Sequence, residues 1–276
     1  MSASYDFGME IIGCQFDLAW ENPSANYEKA CALLAAEKTS SDSLIVLPEM
    51  FATGFSMNVE ATVEHDNPPA SEVFLADLAR EKQCAVMGGF AVPSPTPDRG
   101  RNELAVFDAE GEKIARYHKN RAFRYTREAE HYEPGEEITV FEFAGWKIAP
   151  FICYDLRFPE LFRRGTHRGA ELITVIASWP EVRDDHWITL LRARAIENLA
   201  YVVGINRCGA DPNLKYSGRS LIIDPWGKII ADAGSEEGIV RAEIDLQKVR
   251  DWRAEFPALA DMEVQYLRRL TKQIDE

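Results

Sequence analysis

The chain has 276 residues, 46% hydrophobic and 28% charged, a balance that excludes disordered and fibrous classes and is long enough to bury a sizeable core. A formal net charge of -14 repels phosphate backbones, which makes nucleic acid a poor partner and requires local cations for any anionic substrate. Residues 1–8 are polar and carry Asp6, without the basic flank and apolar run of a secretory signal, and no stretch approaches the roughly 20 apolar residues of a membrane helix.

In chain order, strand and helix signals alternate. A Val/Ile/Phe-rich run at 11–16 reads as a strand, and Asn22-Pro23 then caps a helix with Tyr27, Cys31, Leu34 and Ala35 at helical spacing. A strand at 44–47 stops at Pro48, and a second helix carries Phe74, Leu75, Leu78 and Ala79 on one face. Strands follow at 85–90, 104–107 and 114–117, with 94–100, in and just around which lie Pro93, Pro95 and Pro97, as a surface loop. Further strands are read at 138–143, 146–152, 172–177, 201–205, 220–223, 228–231 and 239–244. A third helix, from Asp185 to about Leu199, exposes Arg192 and Glu197 and buries Leu191 and Ala195. Ala109-Glu110-Gly111, Ala144-Gly145 and Asp224-Pro225-Trp226-Gly227 are hairpin turns, so the sheets are mixed. With no internal repeat, 1–276 reads as a single α/β domain, strands inside and helices outside. The tail from about 245, with Trp252, Phe256 and Tyr266, is expected to pack on a surface or on a partner subunit.

Three residues stand where chemistry concentrates in such folds. Glu49 ends a buried strand, where desolvation raises a carboxyl pKa towards that of a usable base. Cys153 sits between the strand 146–152 and a helical run at 161–163, where backbone amides are expected to lower a thiol pKa. The other cysteines, Cys14, Cys31, Cys84 and Cys208, read as small buried hydrophobes, and five thiols at irregular spacing without a CxxC argue for free cysteines in a reducing cytoplasm. Lys119 closes a strand, and its ammonium between a carboxylate and a thiol could stabilise an oxyanion. The histidines, including His118, His131 and His186, are scattered without HExxH, so no metal site is expected. Gly88-Gly89 is a tight-packing strand segment, not a phosphate loop.

Taken together, Leu47-Pro48-Glu49-Met50-Phe51-Ala52-Thr53-Gly54-Phe55, Tyr117-His118-Lys119 and Cys153-Tyr154-Asp155-Leu156-Arg157-Phe158-Pro159-Glu160 resemble the carbon–nitrogen hydrolase (nitrilase) superfamily, in its omega-amidase-like branch, from about Ile11 to the tail. The resemblance implies a four-layer αββα sandwich with two mixed sheets, a homodimer or higher homo-oligomer, and no cofactor. It implies a small omega-amide of a dicarboxylate as substrate, with Glu49 as base, Lys119 as cation and Cys153 as nucleophile. The Tyr154 N–H would complete an oxyanion hole and Glu128 would be a second glutamate. Arg157 and Arg124 are candidates for a distal carboxylate, Arg157 having the alternative of pairing with Asp155 or Glu160, and Phe123 and Trp179 are candidate pocket walls. Relatives commonly read Lys-x-His-Leu-Phe and Asn-Trp-Pro where this chain has Lys119-Asn120-Arg121-Ala122-Phe123 and Ser178-Trp179-Pro180. A nitrilase or N-carbamoyl amidohydrolase with the same triad, a non-catalytic scaffold and a metal hydrolase are the competing readings.

Overall fold

The structure, a computed structural model, describes residues 8–262. Its strands are β1 (Gly8–Gln15), β2 (Ser43–Val46), β3 (Ala85–Pro93), β4 (Gly100–Phe107), β5 (Lys113–His118), β6 (Phe141–Phe143), β7 (Trp146–Ile152), β8 (Leu172–Ala177), β9 (Tyr201–Asn206), β10 (Cys208–Ala210), β11 (Lys215–Ser217), β12 (Leu221–Ile223), β13 (Ile229–Asp232) and β14 (Gly238–Asp245). The helices are α1 (Pro23–Leu34), α2 (Val59–Thr62), α3 (Ala70–Lys82), α4 (Glu128–His131), α5 (Pro159–His167), α6 (Asp184–Asn198) and α7 (Leu246–Glu255). Two six-stranded mixed sheets form, in the orders β14-β1-β2-β3-β4-β5 and β13-β12-β9-β8-β7-β6.

The period of two along each strand decides the layers. In β1 and β2, Ile11, Leu44 and Val46 face the second sheet and join its Ile148, Ile176 and Ile205 in one core. Their neighbours Ile12 and Ile45 face outward, where Ala30 and Leu34 of α1 and Leu75, Leu78 and Ala79 of α3 cover them. On the far side, Leu161 and Phe162 of α5 and Trp187, Leu191 and Ala195 of α6 cover the second sheet. The result is the four-layer αββα sandwich. Each buried Leu, Ile or Phe contributes about 2 kcal/mol of burial energy, so both sheets are held chiefly by apolar contact.

Several local expectations change. In α1 the buried face is Asn26, Ala30 and Leu34, leaving Cys31 exposed and not a buried hydrophobe. Asn26 moves the face: its side chain bonds the Ala19 N–H and the Ala19 and Ala52 carbonyls, so a polar residue takes the inward position. Only Phe141–Phe143 of the expected strand 138–143 is regular, because Ile138 and Thr139 bond instead to Arg168 and to the Arg116 carbonyl. Glu197 is half-buried against the buried Arg194. The tail forms α7, whose first turn is capped by Asp245 through the Gln247 and Lys248 amides. Leu246 and Val249 are buried, and Arg253 donates to the Ala170, Asn198 and Leu199 carbonyls, so this segment packs on its own chain. Tyr266 lies outside the described residues.

Gly89 governs how β3 meets the loop after β2. Its carbonyl accepts from Phe51 N–H and its N–H donates to Pro48, so strand and loop run in contact past Glu49. A Cβ there would lie 2.6 Å from Ile176 Cδ1 and 3.1 Å from Glu49 Cα. Gly89→Val is therefore expected to lower unfolding free energy by roughly 1–3 kcal/mol in a urea titration, as overpacking does; undiminished stability would show that the loop can retreat.

Candidate active site

Glu49 follows Pro48, which ends the β2 run, and its side chain is fully buried. Oε1 accepts from Asn102 Nδ2 and from Lys119 Nζ, both at 2.8 Å, and Oε2 accepts from the Ser178 N–H at 2.8 Å. Lys119 lies one residue past β5, fixed by its N–H to the Asn102 carbonyl at 2.9 Å. Its ammonium reaches Glu128 Oε1 and Oε2 at 2.9 and 3.0 Å. It also sits over the Phe55 ring at 4.8 Å. Glu128 opens α4 and is itself buried, accepting from the Phe123 N–H at 2.6 Å.

Burial alone would strip Lys119 of its proton, but the charges of Glu128 and then Glu49 offset that and hold the amine's pKa well above its ordinary value. Burial raises the Glu128 carboxyl pKa, with Lys119 pulling it down and Glu49 pushing it up. Two acids and one ammonium thus share a space without bulk water.

Cys153 directly follows β7 in the left-handed region, at φ +46°, and opens a short 3-10 helix that runs to Arg157. A non-glycine residue there is a strained elbow that presents its side chain away from the strand. The residue is half-buried and lines a cavity together with Lys119. The expected lowering of its pKa is reversed. Burial pushes the thiol well above its ordinary range, the Glu49 charge adds to this, and Lys119 and the Ser178 amide offset only part. Amides at an elbow favour a thiolate, but loss of water and a neighbouring carboxylate outweigh them. The thiol rests protonated.

The other named residues divide. Tyr154, Arg157, Phe123 and Trp179 line the cavity. Arg157 pairs with neither Asp155 nor Glu160: its guanidinium stacks over Trp179 at 4.7 Å and its Nη2 lies 3.2 Å from His186 Nδ1. Arg124 is exposed and is not part of the lining, because the turn Arg124–Thr126 points it to solvent. Arg121 and Ala122 do not line the cavity either; Arg121 bonds Asp155 through its N–H and faces Glu160 at 3.7 Å. Ser178, at the departure from Asn-Trp-Pro, holds the Glu49 carboxylate through its backbone N–H, which any residue but proline supplies, and its hydroxyl also donates to the Glu49 carbonyl at 3.4 Å.

Sequence reading missed Asn102, Arg183, Leu214 and Tyr216. Asn102 sits in β4 among strand residues, and only the fold shows its amide on Glu49. Leu214 and Tyr216 reach the cavity from the β10–β11 ribbon, whose polar, glycine-containing sequence gives no strand signal. Arg183 stands in a charged run before α6 that reads as solvated loop.

Against known proteins, the model of the family described as carbon-nitrogen hydrolase matches residues 11–254. The chain is similar to a 2-oxoglutaramate amidase of Bacillus subtilis, 38% identical over 91% of this chain and 96% of that one. It is similar to the omega-amidase YafV of Yersinia enterocolitica, 40% identical over 92% and 96% of the two chains. Among solved structures, the CN-hydrolase superfamily protein XC1258 of Xanthomonas campestris, with an arsenic adduct in its active site, superposes with a TM-score of 0.86 at 33% identity, covering 93% of this chain and 97% of that one.

Behind the elbow, Asp155 is buried and accepts from Tyr117 Oη and Arg121 N–H at 2.8 Å and from Ile152 N–H at 3.1 Å. Burial raises its pKa from 3.8 to about 7, against the opposing pull of the Tyr117 hydroxyl and the Lys119 charge. A carboxyl raised on folding stabilises most below its unfolded value and loses that contribution as pH rises through the folded one. Stability should therefore decline between pH 3.8 and about 7 through this group. Urea titrations across that window should show the slope in the native protein and a flatter one in Asp155→Asn; an identical slope in both would contradict the assignment.

Proposed function

The chain belongs to the carbon–nitrogen hydrolase family, and from that premise we propose that it is a cysteine-dependent omega-amidase, releasing ammonia from a small dicarboxylate monoamide. The carrying observation is the buried ammonium of Lys119 held between Glu49 and Glu128 beside the Cys153 thiol. The relatives named 2-oxoglutaramate amidase and omega-amidase support the substrate class.

Because the thiol rests protonated, Glu49 must take its proton as sulfur attacks the amide carbon. The new S–C bond leaves charge on the carbonyl oxygen, which the Lys119 ammonium and the Tyr154 N–H stabilise. The lysine acts chiefly through its charge, since its protons already face Glu49 and both oxygens of Glu128. Glu49 then returns the proton to the leaving nitrogen, the C–N bond breaks, and ammonia departs from a Cys153 thioester. A water attacks that thioester, giving its proton to Glu49, which passes it back to the sulfur. Asn102 and the Ser178 amide keep the carboxylate aimed during both transfers. Arg157 receives the distal carboxylate.

Five free cysteines support a reducing, cytoplasmic setting. No described helix is long and apolar enough to cross a membrane. An aromatic row, Trp226 tilted against Trp252 and Trp252 stacked on Phe256, with Trp226 47% and Phe256 50% exposed, supports a second copy of the chain as partner.

Ammonia release from a panel of dicarboxylate monoamides, nitriles and carbamoyl compounds tests the reading, with Cys153→Ala as blank. Monoamides are expected to lead, without carbon dioxide; a carbamoyl preference or an active blank would replace it. Asn102→Ala should lower kcat about tenfold, the worth of one hydrogen bond to a charged group, with little change in KM. An unchanged kcat would remove Asn102 from the machinery.

A further inference from the structure

Two guanidiniums line the cavity without an acid to meet them. Arg157 has only the Trp179 face and His186, and Arg183 stacks over Phe123 at 5.4 Å. Elsewhere Arg101, Arg207, Arg219 and Arg250 each hold a carboxylate at 2.7–2.8 Å, as surplus acid in this chain would lead one to expect. No Asp or Glu is among the described residues that line the cavity. The acids next in sequence, Asp184 and Asp185, lie in the first turn of α6, and Asp184 accepts from Ser217. Burial, and after it the Arg183 charge nearby, weaken the hold of Arg157 on its proton, against the opposing influence of Tyr154 and Cys153.

Stacking on a ring occupies the face of a guanidinium and leaves its N–H edge for an in-plane acceptor. Two such edges on an otherwise apolar cavity fit one flat anionic group at the end of the substrate remote from Cys153. They also make the cavity hostile to a cation. Resting on the amidase reading of this site, we propose that Arg183 is a specificity residue: with Arg157 it receives the distal carboxylate, and it turns away amides whose neighbouring carbon bears an ammonium group, for which the cavity offers no counter-ion. An uncharged or 2-oxo carbon at that position meets no such opposition. The discriminating element is thus a repulsion as well as an attraction.

The test compares Arg183→Leu and Arg183→Lys with the native enzyme on succinamate, on the neutral pentanamide and on glutamine. Arg183→Leu should raise KM for succinamate about tenfold more than for pentanamide, with kcat changing by less than about threefold, and should narrow the preference for succinamate over glutamine. Arg183→Lys, which keeps the charge, should recover most of the loss. Equal losses on succinamate and pentanamide, or none on either, would overturn the assignment. Calorimetric titration of succinate into Cys153→Ala, with and without Arg183→Leu, separates this from the reaction itself. Affinity that depends on Arg183 in an enzyme silent on every amide would sink the proposed function and leave the binding role standing. Affinity indifferent to Arg183 would sink the binding role.

Discussion

Lys119 keeps its charge out of reach of bulk water because Glu49 approaches it at 2.8 Å and Glu128 at 2.9 Å from separate elements. Both sheets are needed to make that arrangement. The loop after β2 supplies one acid, the end of β5 the ammonium, and the short helix α4 the other acid, while Ser178 after β8 clamps Glu49 from the second sheet. A buried pair of this kind adds little net stability, but removing one partner leaves a bare charge and typically costs 3–5 kcal/mol. The fold therefore spends apolar packing to hold a polar cluster in place, and in the proposed mechanism the cluster fixes where a carbonyl is attacked.

The same balance explains why the thiol is not a ready-made thiolate. Cys153 has lost its water and faces a net negative pair of glutamates softened by one lysine, so its proton stays until a base takes it. In the proposed mechanism, coupling attack to proton transfer keeps the thiol quiet without substrate. Charge is also distributed unevenly at a larger scale. A chain of net charge -14 gathers Lys119, Arg157 and Arg183 at one cavity, which suits an anionic substrate of the proposed kind.

Much of this was legible in the sequence, for identifiable reasons. Apolar runs such as Trp146–Ile152 and Leu172–Ala177 are buried on both faces in parallel pairing, and that gives uninterrupted hydrophobic strings. Glu49 and Cys153 stood out because each follows such a string directly. What stayed hidden depends on distant partners. The face of α1 turned on a buried Asn26, which periodicity counts as polar and therefore outside. The sign of the Cys153 pKa depended on Glu49, 104 positions away, and on burial that no local pattern reports. Asn102 and Arg183 carry no motif of their own; their meaning comes from Glu49 in one case and from an absence of acids in the other.

The central claim is that a neutral Cys153 thiol, deprotonated by Glu49 beside the Lys119 ammonium, becomes the acyl carrier. Rapid quenching of the native enzyme during turnover of a dicarboxylate monoamide, followed by mass analysis of the peptide containing Cys153, addresses it most directly. The account predicts a transient adduct on Cys153 with the mass of the acyl group after loss of ammonia, appearing before free acid. Steady turnover with Cys153 unmodified throughout, or acyl mass on any other residue, would contradict it.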